Sequence, residues 1–213
     1  TVYELRCSSG FSVHLTNWGA SVLDIRMPDQ AGVVESVVLG FADVNDYVDN
    51  VPYLGATIGR TAGRIAHGRY SLNGQMQQLP LSHGAHVLHG GAQAMSHQLW
   101  QHRSEVLSDG SARVTFTYHS ADSENGYPGN LSVTVAYTLD AAHRLRIAYR
   151  ARTDAPTLCN LTHHSYFNLS GNARDTVHAH QLQIHSDTVC AMNEELLVNG
   201  DEWPVAQSDF DYR

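Results

Sequence analysis

The residues best suited to chemistry are histidines, and they are concentrated. The chain holds 14 of them among 213 residues, and an imidazole is the one side chain that ordinarily exchanges its proton between pH 5 and 8. One cluster reads Ser82-His83-Gly84-Ala85-His86-Val87-Leu88-His89-Gly90-Gly91. Two glycines after His89 leave its ring uncovered on one side, which suits the approach of a substrate. A second cluster reads Asn160-Leu161-Thr162-His163-His164-Ser165-Tyr166-Phe167-Asn168-Leu169, with polar groups packed among Leu and Phe. Several of those polar groups must be buried and need partners. Such a pattern fits a satisfied hydrogen-bonded core as well as a site; two histidine segments of this kind in one chain favour the site.

Two further stretches interrupt the surrounding pattern. The run from Tyr53 to Ile65 is glycine-rich and carries Arg60 and Arg64. It has no GxGxxG, no parallel strand-helix-strand context and no acidic ribose partner, so it is not a dinucleotide loop. Its arginines could hydrogen-bond hydroxyls or pair with surface carboxylates. Asp211 could accept from two adjacent hydroxyls of a sugar, or pair with Arg213 in a turn. A metal centre is the competing chemistry. His178 and His180, two apart on one strand face, with His185 nearby, would suit Zn²⁺ or Fe²⁺ in a cupin-like barrel. No Glu or Cys follows at a fitting spacing, and no metal site is expected.

The elements that must hold these residues have a period of two. Val114, Phe116 and Tyr118 alternate with Arg113, Thr115 and Thr117; Val133, Val135 and Tyr137 alternate with Ser132, Thr134 and Ala136; Leu145, Ile147 and Tyr149 alternate with Arg144, Arg146 and Arg150, Ala148 being the one break. Each run has one face for a core and one for solvent, the signature of antiparallel strands. Residues 139–143 are short enough to join the last two as a hairpin. Further strands are expected at 11–15, 21–27, 34–39, 70–72 and 182–185, punctuated by turn dipeptides such as Asn73-Gly74 and Asp109-Gly110. No stretch carries a sustained helical apolar face. The expectation is an all-β chain, a large antiparallel β-sandwich with few short helices, as a single domain over residues 1–213.

Composition narrows the function classes. The chain is 42% hydrophobic, enough for a packed core, and its formal net charge is −8. An acidic chain is a poor phosphate-tracking nucleic-acid binder. All 13 basic residues are arginines, which excludes a Schiff-base lysine, a P-loop lysine and a lysine general base on this chain. No apolar run approaches a membrane span. Cys7, Cys159 and Cys190 are odd in number and far apart, and read as reduced, mostly buried thiols in a cytoplasmic protein.

Taken in order, the segments resemble the aldose 1-epimerase (galactose mutarotase) family. The matching text is YLGATIGRTAGRI, LHGG followed by Trp100, ENGYPGNLSVTVAYTL, NLTHHSYFNLSG and FDYR, preceded by LTNWGASVLDIRMPD. The resemblance implies an antiparallel β-sandwich that interconverts the α and β anomers of a free hexose, such as galactose or glucose, with no cofactor and no metal. It implies that His164 gives a proton to the ring oxygen and that His89 is a second active-site imidazole. It also implies that Arg64 and Asp211 bind hydroxyls, with Gly63, Ser165 and Tyr166 lining the substrate-binding site. The chain departs from the family pattern at Gly63, His86 and His163, where Asn is usual; glycine at 63 removes a hydroxyl contact. The family's general base, a Glu in its final third, has no counterpart among these residues, so the chain is expected to lack that third and to turn over little alone. A non-catalytic carbohydrate-binding or sensor protein on the same fold is the alternative. The partner implied is a small aldohexose, with no nucleic acid or membrane; oligomeric state stays open.

Overall fold

A computed structural model describes all 213 residues. Two four-stranded antiparallel sheets form the frame. The first runs in sequence order through β1 (Val2–Arg6), β2 (Ser12–Thr16), β3 (Ser21–Pro28) and β4 (Val34–Ser36). Between the sheets in sequence lie short paired strands: β5 (Thr57–Ile58), β6 (Arg64–Ile65), β7 (Arg69–Leu72), β8 (Gln75–Gln78) and β9 (Val87–Leu88). The second sheet comprises β10 (Gln101–Val106), β11 (Ala112–Ser120), β12 (Leu131–Leu139) and β13 (Leu145–Thr153). β14 (Thr162–His163), β15 (Thr188–Met192) and β16 (Val198–Pro204) follow. Helical structure is confined to five 3₁₀ turns of three to six residues, as a chain without a 3.6-residue apolar stripe should show.

The inward residues of the two sheets share one core. Val13, Leu15, Val22 and Ile25 from the first pack with Val114, Phe116, Val133, Val135, Tyr137 and Leu139 from the second. The alternation of β12 is complete, every odd residue from 131 to 139 buried and every even one half-buried. Asp140 makes the hairpin to β13, its Oδ1 accepting from the N–H groups of Ala142 (2.9 Å) and Arg144 (3.1 Å). Trp100 is fully buried, donates Nε1–H to the Met95 carbonyl (2.9 Å) and packs on Tyr118. Its ring belongs to the core.

Several expectations need correction. Residues 182–185 form no strand; they run as irregular chain beside Tyr212, whose carbonyl accepts from Ile184 N–H. β4 stops at Ser36, three residues short of the apolar run, because the backbone from Val37 onward turns to bond Ile25, Tyr166 and Asn168. His178 lies in a 3₁₀ turn that His180 closes, so the two do not share a strand face; His180 Nε2 accepts from Leu169 N–H at 2.7 Å. Cys159 and Cys190 are exposed and Cys7 half-buried, so the cysteines are not mostly buried as expected.

Candidate active site

One stretch of backbone, residues 55–65, assembles the site. Its first part, β5, pairs with β14 in the register Thr57 to His163. His164 follows directly, donating its N–H to the Ala56 carbonyl (3.0 Å) and accepting from Gly55 N–H (3.0 Å). Its last part, β6, pairs with β9 in the register Arg64 to Leu88. His89 follows directly, donating its N–H to the Gly63 carbonyl at 3.0 Å. Two imidazoles from distant segments are thereby brought together, ring centroids 5.1 Å apart and planes at 83°.

Between β5 and β6 the stretch is bolted down by Arg60, whose side chain is 2% exposed. Its guanidinium donates to Ser120 Oγ (3.0 Å), Thr157 Oγ1 (3.0 Å) and the carbonyls of Ser120 (3.2 Å), Ala121 (2.9 Å), Pro128 (3.0 Å) and Gly129 (2.9 Å). Arg60 is thus a structural cation, and the open question about the two arginines resolves differently for each. Arg64 is half-buried, pairs with no carboxylate, and sits close enough to His89 to oppose a charge on it. Gly90 answers a different need from the one its place after His89 suggested. Its φ is +95°, and a Cβ there would overlap the Gly59 carbonyl; the backbone must pass that close.

Two imidazoles of the cluster, His89 and His163, differ electrically from ordinary ones. Burial, followed by the charges of His164, Arg64 and His83, lowers the pKa of His89 to about 4. Its Nδ1 accepts from Gly63 N–H at 3.1 Å, so the neutral ring carries its proton on Nε2 and presents it as a donor. His163 is likewise lowered to about 4, first by burial and then by His164. Its Nε2 meets Ser165 Oγ at 2.7 Å, and its Nδ1 is buried without a partner. Ser165 is thus turned toward His163. Tyr166 packs on His164 with centroids 5.1 Å apart and donates its hydroxyl to the Pro52 carbonyl (3.1 Å).

Two residues outside the expected set join the cluster. Tyr53 contacts His89 (4.9 Å), His97 (5.6 Å) and His164 (5.9 Å). Tyr53 opens the glycine-rich stretch and His97 ends a 3₁₀ turn, but nothing in either local pattern assigns the residue to a site. Asp211 is not brought to the imidazoles. Its carboxylate pairs with Arg213 at 2.8 Å, which holds its pKa down to about 2. Glu195 reaches His86 (3.4 Å) and neither ring of the pair. A cleft of about 650 Å³ lies elsewhere, on the β1–β4 sheet around Arg6, His14, Asp24, Arg26 and Phe41. Both its arginines are already paired, Arg6 with Glu4 and Arg26 with Asp24 at 2.6 Å each, so the imidazole pair is the better seat for proton transfer.

A family model described as "Aldose 1-epimerase" matches residues 1–213. The chain belongs to the aldose 1-epimerase family. It is 39% identical over 206 residues to the galactose mutarotase of Sus scrofa, covering 97% of this chain and 58% of that protein. Identity is 39% over 209 residues with the aldose 1-epimerase of Escherichia coli K12, covering 98% and 59%. A GalM/aldose epimerase homologue from C. elegans superimposes with a TM-score of 0.91 at 27% identity, covering 100% of this chain and 64% of that one. The chain therefore spans somewhat under three-fifths of the curated relatives' length, and its galactose mutarotase-like fold agrees with the antiparallel sandwich read from the period-two pattern. No helix is long and apolar enough to cross a membrane.

Proposed function

We propose that these residues form the sugar-binding and general-acid part of an aldose 1-epimerase, acting on a free aldohexose such as galactose or glucose in the cytoplasm. The observation that carries this reading is the convergence of His89 and His164, 5.1 Å apart, beside the unpaired Arg64. Mutarotation needs little else: one proton leaves the anomeric hydroxyl while another reaches the ring oxygen, and the ring opens. Rotation about C1–C2 presents the other aldehyde face, and the same groups run backwards to close the ring. No proton is consumed.

Within that scheme His164 is the proton donor to the ring oxygen. His89, neutral with its proton on Nε2, is a hydroxyl donor, and its depressed pKa unsuits it to carrying charge at neutral pH. Arg64 donates to further hydroxyls, and the Gly63 side leaves room, since a Cβ there would meet nothing within 4 Å. Ser165 acts through His163, while Tyr166 borders His164. Asp211 would join the hydroxyl set only if its segment turned away from Arg213. The anomeric proton goes to a carboxylate that the family resemblance places outside these residues. Two exposed thiols, Cys159 and Cys190, support the cytoplasmic placement.

Polarimetry of a freshly dissolved α-sugar tests the proposal in the full-length protein. His164→Gln is expected to lower turnover by at least ~10²-fold, the usual worth of a general catalyst. A near-normal rate would remove His164 from the acid role. Sugar binding without any catalysed mutarotation in the wild type would favour the carbohydrate-binding alternative.

A further inference from the structure

We propose that Tyr53 is the positioning residue of the imidazole pair: its ring closes a triangle with His89 and His164 that sets their spacing and keeps water from the side they share. This deepens the acid–base reading above and rests on it. The triangle's sides are 4.9 Å (Tyr53 to His89), 5.1 Å (His89 to His164) and 5.9 Å (Tyr53 to His164). Tyr53 meets His89 edge-on at 74°, a geometry that aromatic quadrupoles favour, and His164 at a shallower, tilted 38°. His97 also packs on the Tyr53 ring, at 82°, and is itself tied to Ser96 Oγ through Nδ1 (2.9 Å).

The backbone under Tyr53 is held in an unfavourable place for this purpose. Its φ is +58°, a conformation glycine adopts freely and a tyrosine does not. Such an outlier persists only where the surroundings over-determine it, and it then points to a task. The surroundings here are specific. Buried Asn50 clamps Leu54 by two hydrogen bonds (2.8 and 2.9 Å), and Tyr53 N–H donates to the Asn50 carbonyl (3.0 Å). The neighbouring Pro52 carbonyl accepts from the Tyr166 hydroxyl, and Gly55 N–H donates to the His164 carbonyl. The turn carrying Tyr53 is therefore fastened to the segment carrying His164, while its ring leans on His89 from the other segment. No hydrogen bond uses the Tyr53 hydroxyl, so the ring itself does the positioning.

Three variants of the full-length protein test this. Tyr53→Phe keeps the ring; Tyr53→Leu removes it; Tyr53→Gly removes it while relieving the backbone, which guards against simple misfolding. Displacing a reacting group by ~1 Å can cost ~10²-fold, so Leu and Gly should lower kcat by about that factor, with KM changed by less than about threefold. Phe should stay within about threefold of wild type. Titration of the His89 ring C–H by NMR supplies a second readout, with His164, Arg64 and His83 left in place around it. The midpoint should stay near 4 in wild type and Phe, and rise toward ~6.5 in Leu and Gly as water reaches the ring. An unchanged kcat and midpoint in Leu and Gly would overturn the proposal, as would a Phe variant as damaged as Leu. A moved midpoint in a protein with no mutarotase activity would refute the acid–base reading and leave the positioning role standing.

Discussion

Acid should unfold this protein through its neutral histidines, in a window the carboxylates leave free. His89 and His163 both have folded pKa values of about 4, against ~6.5 in an unfolded chain. Between those values the unfolded state binds more protons than the folded one, so stability falls as pH falls. The contribution is whole above pH ~6.5 and is fully lost below pH ~4. From pH 7 to pH 5 the loss is about 2 kcal/mol for an imidazole shifted this far. His163, the more deeply buried, takes that value; His89, half in solvent, takes about half of it, giving about 3 kcal/mol together. With a urea slope of about 2–3 kcal/mol/M, the midpoint should drop by about 1 M between pH 7 and pH 5. The lowered carboxylates Asp109, Asp140, Asp154 and Asp211 act below that range, where stability is lost as they protonate. His97, lowered mainly by burial, works in the same direction as the pair. Urea melts of wild type, His163→Gln and the His89→Gln/His163→Gln double variant measure the effect. The single change should remove about two-thirds of the pH dependence and the double change most of it. A midpoint that holds or rises from pH 7 to pH 5, or a double variant with the wild-type dependence, would refute the reasoning.

Two other substitutions probe the stretch that holds the pair. Gly90→Ala places a Cβ against the Gly59 carbonyl at a φ of +95°, and should cost about 3 kcal/mol or more; a melting temperature within about 3 °C of wild type would contradict that. Arg60→Met leaves the buried carbonyls of Ser120 and Gly129 without their donor, at roughly 1–3 kcal/mol each. It should lower the urea midpoint clearly, and mutarotation should fall with it because β5 and β6 lose their common anchor.

What could be read from the residues, and what could not, divides along physical lines. β11, β12 and β13 were legible because one face of each is buried and the other wet, which writes a period of two into the sequence. β1 and β10 were not: the edge strand β10, Gln101–Val106, is exposed at five of six positions, so pairing with β11 alone makes it a strand. Residues 182–185 erred the other way, an apolar alternation that no partner strand receives. The site divides similarly. His89 and His164 were recognisable as types, but their convergence depends on pairing between strands of two residues, β5 with β14 and β6 with β9, too short to leave a periodic trace. Arg60 and Arg64, four apart in one motif, look alike in sequence. Only the carbonyls gathered around Arg60 separate a cation already consumed by the fold from one free to meet a ligand. Tyr53 stands at the head of the glycine-rich motif, but nothing there sets it apart from its neighbours, because its place depends on a strained φ and on rings remote in sequence except through the turn beneath it. Chemistry-bearing residue types can therefore be listed from sequence, whereas the residues that place them become visible only with the backbone; on that argument the least legible residue of the cluster is also the one whose ring its geometry most depends on.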